Sequence, residues 1–427
     1  MASSPSPTAV RKRPHVVIVG AGFGGLAAAQ GLRCADVDVT MIDQRNHHIF
    51  QPLLYQVATA GLSPADIAAP IRAILKKNSN CRVLLDRVTG VARQTRTVLL
   101  ERGEPVGYDW LVLATGARHS YFGRDDWAEF APGIKSIEDA TAVRHRILLA
   151  MERAETETDK AKRDALLTFA IIGGGPTGVE MAGAIAELAR QSVSSEFRSI
   201  TPHCSRVILI EAGPRLLASF PPTLSTRAKT AIEQLGVEVF TGVRVNALSA
   251  GRVSFGTDVI AAETVIWAAG VMASPAAQWL GVDGDAAGRV PVDGQLHPAC
   301  DGRIFVIGDT ATCAGPEGRP LPGIAPVAKQ QGEYCANAII ATISGQDNLP
   351  FRYRNYGNMA TIGRKRAVAD FGRVRMSGFS AWIVWCTAHI WFLVGFRSRL
   401  LVGANWLWNY ITFERHARLI TGETKAN

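Results

Sequence analysis

Two stretches of the chain, VVIVGAGFGGLAAA (Val16–Ala29) and FAIIGGGPTGVEMAG (Phe169–Gly183), obey one grammar: an apolar run, glycines spaced GxGxxG, then helix formers. A strand that turns this tightly into a helix aims backbone N–H groups and the positive end of the helix dipole at an anion. In the first copy Gly20 turns the chain, Gly22 lets backbone approach a pyrophosphate and Gly25 lets helix meet strand, with Phe23 and Gly24 completing the turn. Gly173, Gly175 and Gly178 repeat those roles around Pro176 and Thr177. Each copy then reaches a second strand that ends in an acid, VDVTMID at Asp43 (followed by Gln44) and RVILIE at Glu211. Such an acid accepts hydrogen bonds from ribose hydroxyls. With strand, helix, second strand and acid in order, the chain is expected to bind two dinucleotides. A polar insertion, Gln191–Ser205, lengthens the second copy and reads as loop or helix extension.

The duplication extends further. LVLATGA places Ala114, Thr115 and Gly116 at a strand end, and VIWAAGV places Ala269 and Gly270 likewise. Gly116 follows Gly20 by 96 residues and Gly270 follows Gly173 by 97, as two tandem modules would. The segment GRIFVIGDTA ends a later strand at Gly308 and Asp309, where the acid either holds a ribityl or ribose hydroxyl or forms an ordinary Gly-Asp turn.

Length and charge bound the rest. A chain of 427 residues, 47% hydrophobic, suffices for two or three domains with a sizeable core. Seven cysteines without a CxxC pair suit a reducing compartment. The basic start, MASSPSPTAVRKRP, has no apolar run and reads as a disordered tail. Residues 351–427 carry twelve Lys or Arg against three acids, the whole net charge of +9, and five of the nine tryptophans. That pairing is expected at a membrane interface rather than on nucleic acid. Phe379–Phe396 has no charged residue over eighteen positions, the borderline length for crossing a bilayer, but its interleaved tryptophans favour an in-plane anchor. His47 and His48 have no further ligand at metal-like spacing, so no metal is expected.

Together these residues resemble the two-dinucleotide-binding flavoproteins, in which an N-terminal module plus a late Gly-Asp segment holds FAD and an inserted module holds a nicotinamide. Within that superfamily, NHHIFQPLLYQVATAGLSP (Asn46–Pro64), GGGPTGVEMAG, PGIAPVAKQQGEYCANAI (Pro322–Ile339) and the tryptophan-rich end look closely like type II NADH:quinone oxidoreductases. Disulfide reductases share the fold but need a CxxxxC pair after the first acidic strand, and Asp43–Pro64 has no cysteine. Sulfide:quinone oxidoreductases need cysteines by the flavin. Here Cys335 alone stands near the quinone segment, where a buried core thiol is the readier explanation.

The resemblance implies an α/β fold of two tandem Rossmann-like, glutathione-reductase-like domains plus a C-terminal membrane-binding region. The expected boundaries are a tail at 1–14, an FAD domain over 15–165 and 285–350, an NADH domain over 166–284 and a C-terminal region over 351–427. It implies non-pumping electron transfer from NADH to a membrane quinone, ubiquinone or menaquinone, at the cytoplasmic face of the cell membrane; a homodimer is compatible with it. The runner-up is a binding or signalling flavoprotein of the apoptosis-inducing-factor kind. By the same resemblance Pro52 and Leu53 shape the flavin pocket, unless their segment is an ordinary apolar helix, and Ala325, Ala328 and Gln330 line a quinone tunnel, with Pro326 standing where a first glutamine is common. Gln330 has a competing reading as a helix-surface residue. Glu180, two residues past Gly178, is either stabilised by the helix dipole or a functional acid. Glu211 favours NADH by repelling a 2′-phosphate; Arg215 reads as a surface or salt-bridge residue.

Overall fold

Five strands rich in β-branched and large apolar residues set the first sheet. The computed structural model describes residues 13–192, 197–201, 204–412, 415 and 417–420. Its contacts divide into two units. The first holds residues up to His48, Pro70–Arg118 and Met272–Asn355. There the strands run Ile304–Val306, Trp110–Leu113, His15–Val19, Asp38–Asp43, Cys81–Leu85 across the sheet, all pairs parallel. Burial on both faces explains the apolar runs of the three strands Ile304–Val306, Trp110–Leu113 and Val16–Val19, while the edge strand Cys81–Leu85 keeps Arg82 and Leu85 exposed.

The register brings Val19, Ile42 and Leu113 level, so the first glycine turn, Asp43 and the Ala114–Gly116 turn leave the sheet at one carboxyl edge. Val306 pairs with Leu113 and adds Gly308–Asp309 to that edge. In open parallel sheets this is the edge where ligands bind. Helices Phe23–Gly31 and Ala325–Ile343 pack against each other through small residues. A Cβ on Gly332 would stand 2.1 Å from the Gly24 carbonyl, so this approach tolerates only glycine. Cys335 is fully buried in this core, as the core-thiol reading expects.

The second unit holds Ile49–Ala69, His119–Val271 and Tyr356 onward. Its parallel sheet runs Val237–Thr241, Arg206–Glu211, Thr168–Ile172, Thr264–Trp267. Glu211 and the Gly173 turn again share the carboxyl edge. The architecture is thus α/β with two Rossmann-like sheets, as expected.

The units part near 118/119 and 271/272 rather than at the sequence-derived 165/166 and 284/285. Packing gives the reason. Helix Ile137–Thr156 lies on Leu54–Ala58 and Thr264–Trp267, while helix Ala276–Leu280 packs on Val88–Ala92 of the first unit. Nor does the C-terminal region stand apart: the antiparallel strands Asn358–Thr361, Ala367–Asp370 and Arg375–Gly378 dock on helix Pro176–Glu187 and carry helix Phe379–Phe392.

The uncharged eighteen-residue stretch does not form one helix. It stops at Phe392, Leu393 is extended, Gly395 takes a φ of +87°, and a new helix runs Phe396–Thr412. Fourteen residues rise only about 21 Å, short of a hydrocarbon core of about 30 Å. Among the described residues no helix is long and apolar enough to cross a membrane. In the polar insertion a π-helical turn at Leu188–Ser192 prolongs the preceding helix; residues 193–196 and 202–203 lie outside the described residues, as do 1–12 of the expected tail.

Candidate functional site: two dinucleotide cradles and a buried carboxyl

The glycines of each turn separate by cause. A Cβ on Gly25 would fall 1.8 Å from the Gly20 carbonyl, and one on Gly178 the same distance from the Gly173 carbonyl, so these positions are set by the chain's own packing. Gly20 and Gly173 sit at φ +98° and +113°, a conformation glycine adopts without penalty. Gly22 and Gly175 differ: a Cβ there would meet nothing within 4 Å. Protein packing does not require glycine at either, and the open space above them fits a pyrophosphate approaching backbone.

In the first unit Asp43 organises its turn, accepting from the Ala21 N–H (2.6 Å) and the Arg45 N–H (2.7 Å), while burial raises the carboxyl above its ordinary range. Gln44 beside it is exposed and Phe23 half-buried. The Gly116 N–H donates to Thr310 Oγ1 (2.8 Å), tying the Ala114–Gly116 turn to the residue after Asp309. The Thr115 hydroxyl meets that of Ser274. Gly308 donates to the side-chain oxygen of Gln331 (2.7 Å). Among the described residues the Asp309 carboxylate has no hydrogen-bond partner, which leaves it free for ligand hydroxyls. These features fit FAD.

Gln331 and Thr310 were not singled out from sequence, although both adjoin residues that were. Gln330 occupies a different environment from its neighbour. It is half-buried, and its amide closes a two-bond pair with the main chain of Arg354, donating to the carbonyl (3.0 Å) and accepting from the N–H (2.9 Å). Ala328 lies close to both turns: a Cβ on Gly24 would meet its carbonyl at 3.0 Å and one on Gly308 its methyl at 3.2 Å; Ala325 opens the same helix.

In the second unit Glu211 accepts from the N–H groups of Gly174 and Gly213, making the acid part of the turn as well as a candidate ribose ligand. Pro176 and Thr177 are exposed at the helix start. Gly270, φ +74°, has no room for a Cβ beside Phe122, and Ala269 precedes it. Among the described residues Arg215 pairs with no acid: it donates to the carbonyls of Ala218 and Phe220 (2.8 Å each) and clamps its own loop.

Glu180 is the fifth residue of helix Pro176–Glu187, past the first turn, where the dipole effect has largely faded. It is 9% exposed, and its Oε1 accepts a 3.3 Å bond from the Thr361 N–H. Burial pushes the carboxyl up to about 8, opposed by the Thr361 bond and the nearby Trp385 indole. Trp385 Nε1 is itself enclosed and stands in hydrogen-bonding geometry with no described residue, Glu180 included.

Glu180 lines a cavity of about 100 Å³ within the second unit, together with Tyr55, Trp385, Asn409 and, two helical turns on, Glu187. Glu187 accepts from the Arg364 N–H and pairs with Arg415 at 3.6 Å, and Arg415 Nη1 reaches the Thr59 carbonyl at 2.7 Å. Trp406 donates to Gln56, which donates to the Tyr55 hydroxyl (2.8 and 2.9 Å). The segment after the double histidine and the C-terminal helices therefore wall one polar chamber. In that segment Leu53 is fully buried and Pro52 half-buried in a short turn, and Phe50 meets the His389 ring edge-on at 6.2 Å. His389 stacks on Trp385, and burial holds its imidazole down at about 4. Nothing in the sequence marked Thr361 or Arg415, because the contacts that bring them to Glu180, Glu187 and Thr59 join positions more than 180 residues apart.

Residues 14–332 match the family model described as pyridine nucleotide-disulphide oxidoreductase, and 356–416 match the NDH2 C-terminal domain. The chain is 42% identical over 438 residues to the type II NADH:quinone oxidoreductase NdhA of Mycobacterium tuberculosis, covering 99% of this chain and 92% of that protein. It is 28% identical to the demethylphylloquinone reductase NdbB of Synechocystis, covering 92% and 96%. NDH2 of Plasmodium falciparum, solved with NADH, superposes at a TM-score of 0.88 and 21% identity over 96% of this chain and all of that one. The sulfide:quinone oxidoreductase of Aquifex aeolicus gives 0.72 and 19%, over 91% and 92%. The two structural likenesses show the fold. On full-length identity of 42% and both family models, the chain belongs to the type II NADH:quinone oxidoreductase family.

Proposed function

We infer that this protein is an FAD-dependent enzyme that takes electrons from NADH and delivers them to a quinone. The observation that carries the reading is the pair of complete dinucleotide cradles in one chain with no cysteine between Asp43 and Pro64 to form a redox dithiol. FAD, when bound, supplies the two-electron relay between nicotinamide and quinone. The chain's residues bind, orient and handle protons. Gly20, Gly22, Asp43, Gly116 and Asp309 hold the flavin nucleotide; Gly173, Gly175 and Glu211 hold NADH, with Glu211 disfavouring a 2′-phosphate. Quinone reduction consumes two protons. Glu180, kept protonated up to about pH 8, is an acid with a proton to give, in a chamber whose polar groups can hold water to replace it.

The quinone reading brings a membrane with it. Helices Phe379–Phe392 and Phe396–Thr412 expose Phe379, Trp391, Phe396, Leu400, Leu407 and Ile411. Aromatic side chains of this kind, beside Arg397 and Arg399, suit the headgroup level of an anionic bilayer. The protein is peripheral, docked in the plane of the membrane at the cytoplasmic face, a side that suits seven cysteines without a CxxC pair.

The test is stoichiometric. Under anaerobic conditions the FAD-loaded protein should consume one NADH per lipophilic quinone reduced. NADH consumption only in oxygen, with peroxide as product, would replace this reading by a binding protein with slow oxidase activity.

A further inference from the structure

Phe122 leaves 70% of itself in water and holds its backbone at φ +53°, a left-handed conformation that a bulky residue adopts only at a cost. Its loop is nevertheless firmly held. Trp267, 3% exposed, donates from Nε1 to the Ser120 carbonyl (2.9 Å), and the Ser120 N–H donates to the Gly270 carbonyl (3.4 Å). Tyr121 packs on Trp267 with ring centroids 5.0 Å apart, inside a core that also takes in Trp127. Phe122 meets Trp267 only at 6.2 Å and stays outside that core.

The place it occupies is the edge of the second cradle. Its Cζ stands 2.5 Å from where a Cβ on Gly270 would be, so the tip of the ring lies on the Gly270 α-carbon. Just before Gly270, Ala268 and Ala269 pack on Gly173, the first glycine of the cradle's turn. Ring, Gly270 and glycine turn are thus continuous along one carboxyl edge.

Strand order tells which half of a dinucleotide reaches the ring. Glu211 ends the strand on one flank of Thr168–Ile172, and Gly270 follows the strand on the other. The acid takes the adenosine ribose and the turn takes the pyrophosphate, so the nicotinamide riboside crosses to the flank of Gly270. We propose that Phe122 is a binding residue for NADH, its exposed ring packing against the nicotinamide riboside half and holding it at the carboxyl edge. An aromatic ring already fixed by its loop loses little freedom when a second flat ring covers it, and both shed water. The left-handed backbone keeps the ring out of the Trp267 core and available to substrate. The proposal rests on reading the second cradle as the NADH site.

Anaerobic stopped-flow with the holoenzyme tests it, reading the rate of flavin bleaching against NADH concentration. Phe122→Gly removes the ring and suits the left-handed backbone; Phe122→Asn is a second ring-free variant that tolerates it. Each should raise the NADH concentration at half-maximal rate roughly five- to twentyfold, while Phe122→Tyr, which keeps the ring, should stay within about twofold of the wild type.

Two further readouts separate binding from structure. The unfolding midpoint of Phe122→Gly should be no lower than the wild type's, because the backbone strain is relieved. ADP-ribose, which lacks the nicotinamide, should compete with the same inhibition constant in the wild type and the variants. Unchanged half-saturation in both ring-free variants overturns the proposal, as does an ADP-ribose constant that rises as steeply as the NADH value or a Phe122→Gly midpoint that falls. ADP-ribose that fails to compete with NADH even in the wild type would instead overturn the reading of the second cradle.

Discussion

Glu211 spends both carboxylate oxygens on its own turn, accepting from Gly174 and Gly213, and still has lone pairs for a ribose. Replacing it by alanine removes the repulsion of a 2′-phosphate but also loosens the cradle. NADH efficiency should therefore fall roughly ten- to a hundredfold while NADPH falls less, so the NADPH/NADH ratio of kcat/KM rises. An unchanged ratio contradicts the assignment. Glu180 gives a prediction with a sign. Its folded pKa of about 8 exceeds the reference 4.5, so between those values the unfolded chain binds fewer protons than the folded one. Stability should fall as pH rises through that window, by roughly 1.4 kcal/mol per unit, and level off above it. Glu180→Gln lacks the ionisation, so its denaturant midpoint should gain on the wild type's from about pH 5 to about pH 8, while quinone turnover drops roughly a hundredfold. Parallel stability curves would show that the carboxyl is not held neutral.

Among elements, the glycine turns were legible because their constraint is local: strand, turn and helix lie within fifteen residues, and the acid ends the next strand. The C-terminal helices were half legible. Tryptophans and arginines pointed to two C-terminal aromatic segments, but an eighteen-residue uncharged run could not reveal the break at Leu393–Gly395, nor which tryptophan faces inward. Trp385 is 2% exposed under Glu180, whereas Trp391 is 72% exposed. The two should behave oppositely. Trp391→Ser combined with Phe396→Ser should weaken sedimentation with anionic liposomes while leaving NADH oxidation by a soluble acceptor intact. Trp385→Ala should cost about 3–5 kcal/mol of stability and impair both. Equal effects would mean that the outward residues do not meet lipid.

At the scale of the whole chain, tandem duplication announced two cradles, yet the grouping of segments escaped a sequence reading because it is decided by side chains that meet only after folding. Thr361 reaches back to Glu180, Arg415 to Glu187 and Thr59, Trp406 to Gln56. The tryptophan-rich end reads from sequence as an appendage. Its packing makes it part of the unit that carries the second cradle. Truncation before Phe379 should accordingly lower the unfolding midpoint and abolish NADH binding rather than yield a soluble NADH oxidase; a truncated protein with a wild-type midpoint and normal activity toward a soluble acceptor would show the appendage reading to be right. Function at this scale is one flavin cycle from NADH to a quinone. The most direct measurement is anaerobic stopped-flow absorbance: the holoenzyme is reduced with one equivalent of NADH, then mixed with liposomes carrying quinone. The flavin absorbance should bleach on NADH and return on mixing, at a rate no slower than steady-state turnover. A flavin that stays bleached with quinone and recovers only when oxygen is admitted would contradict the account.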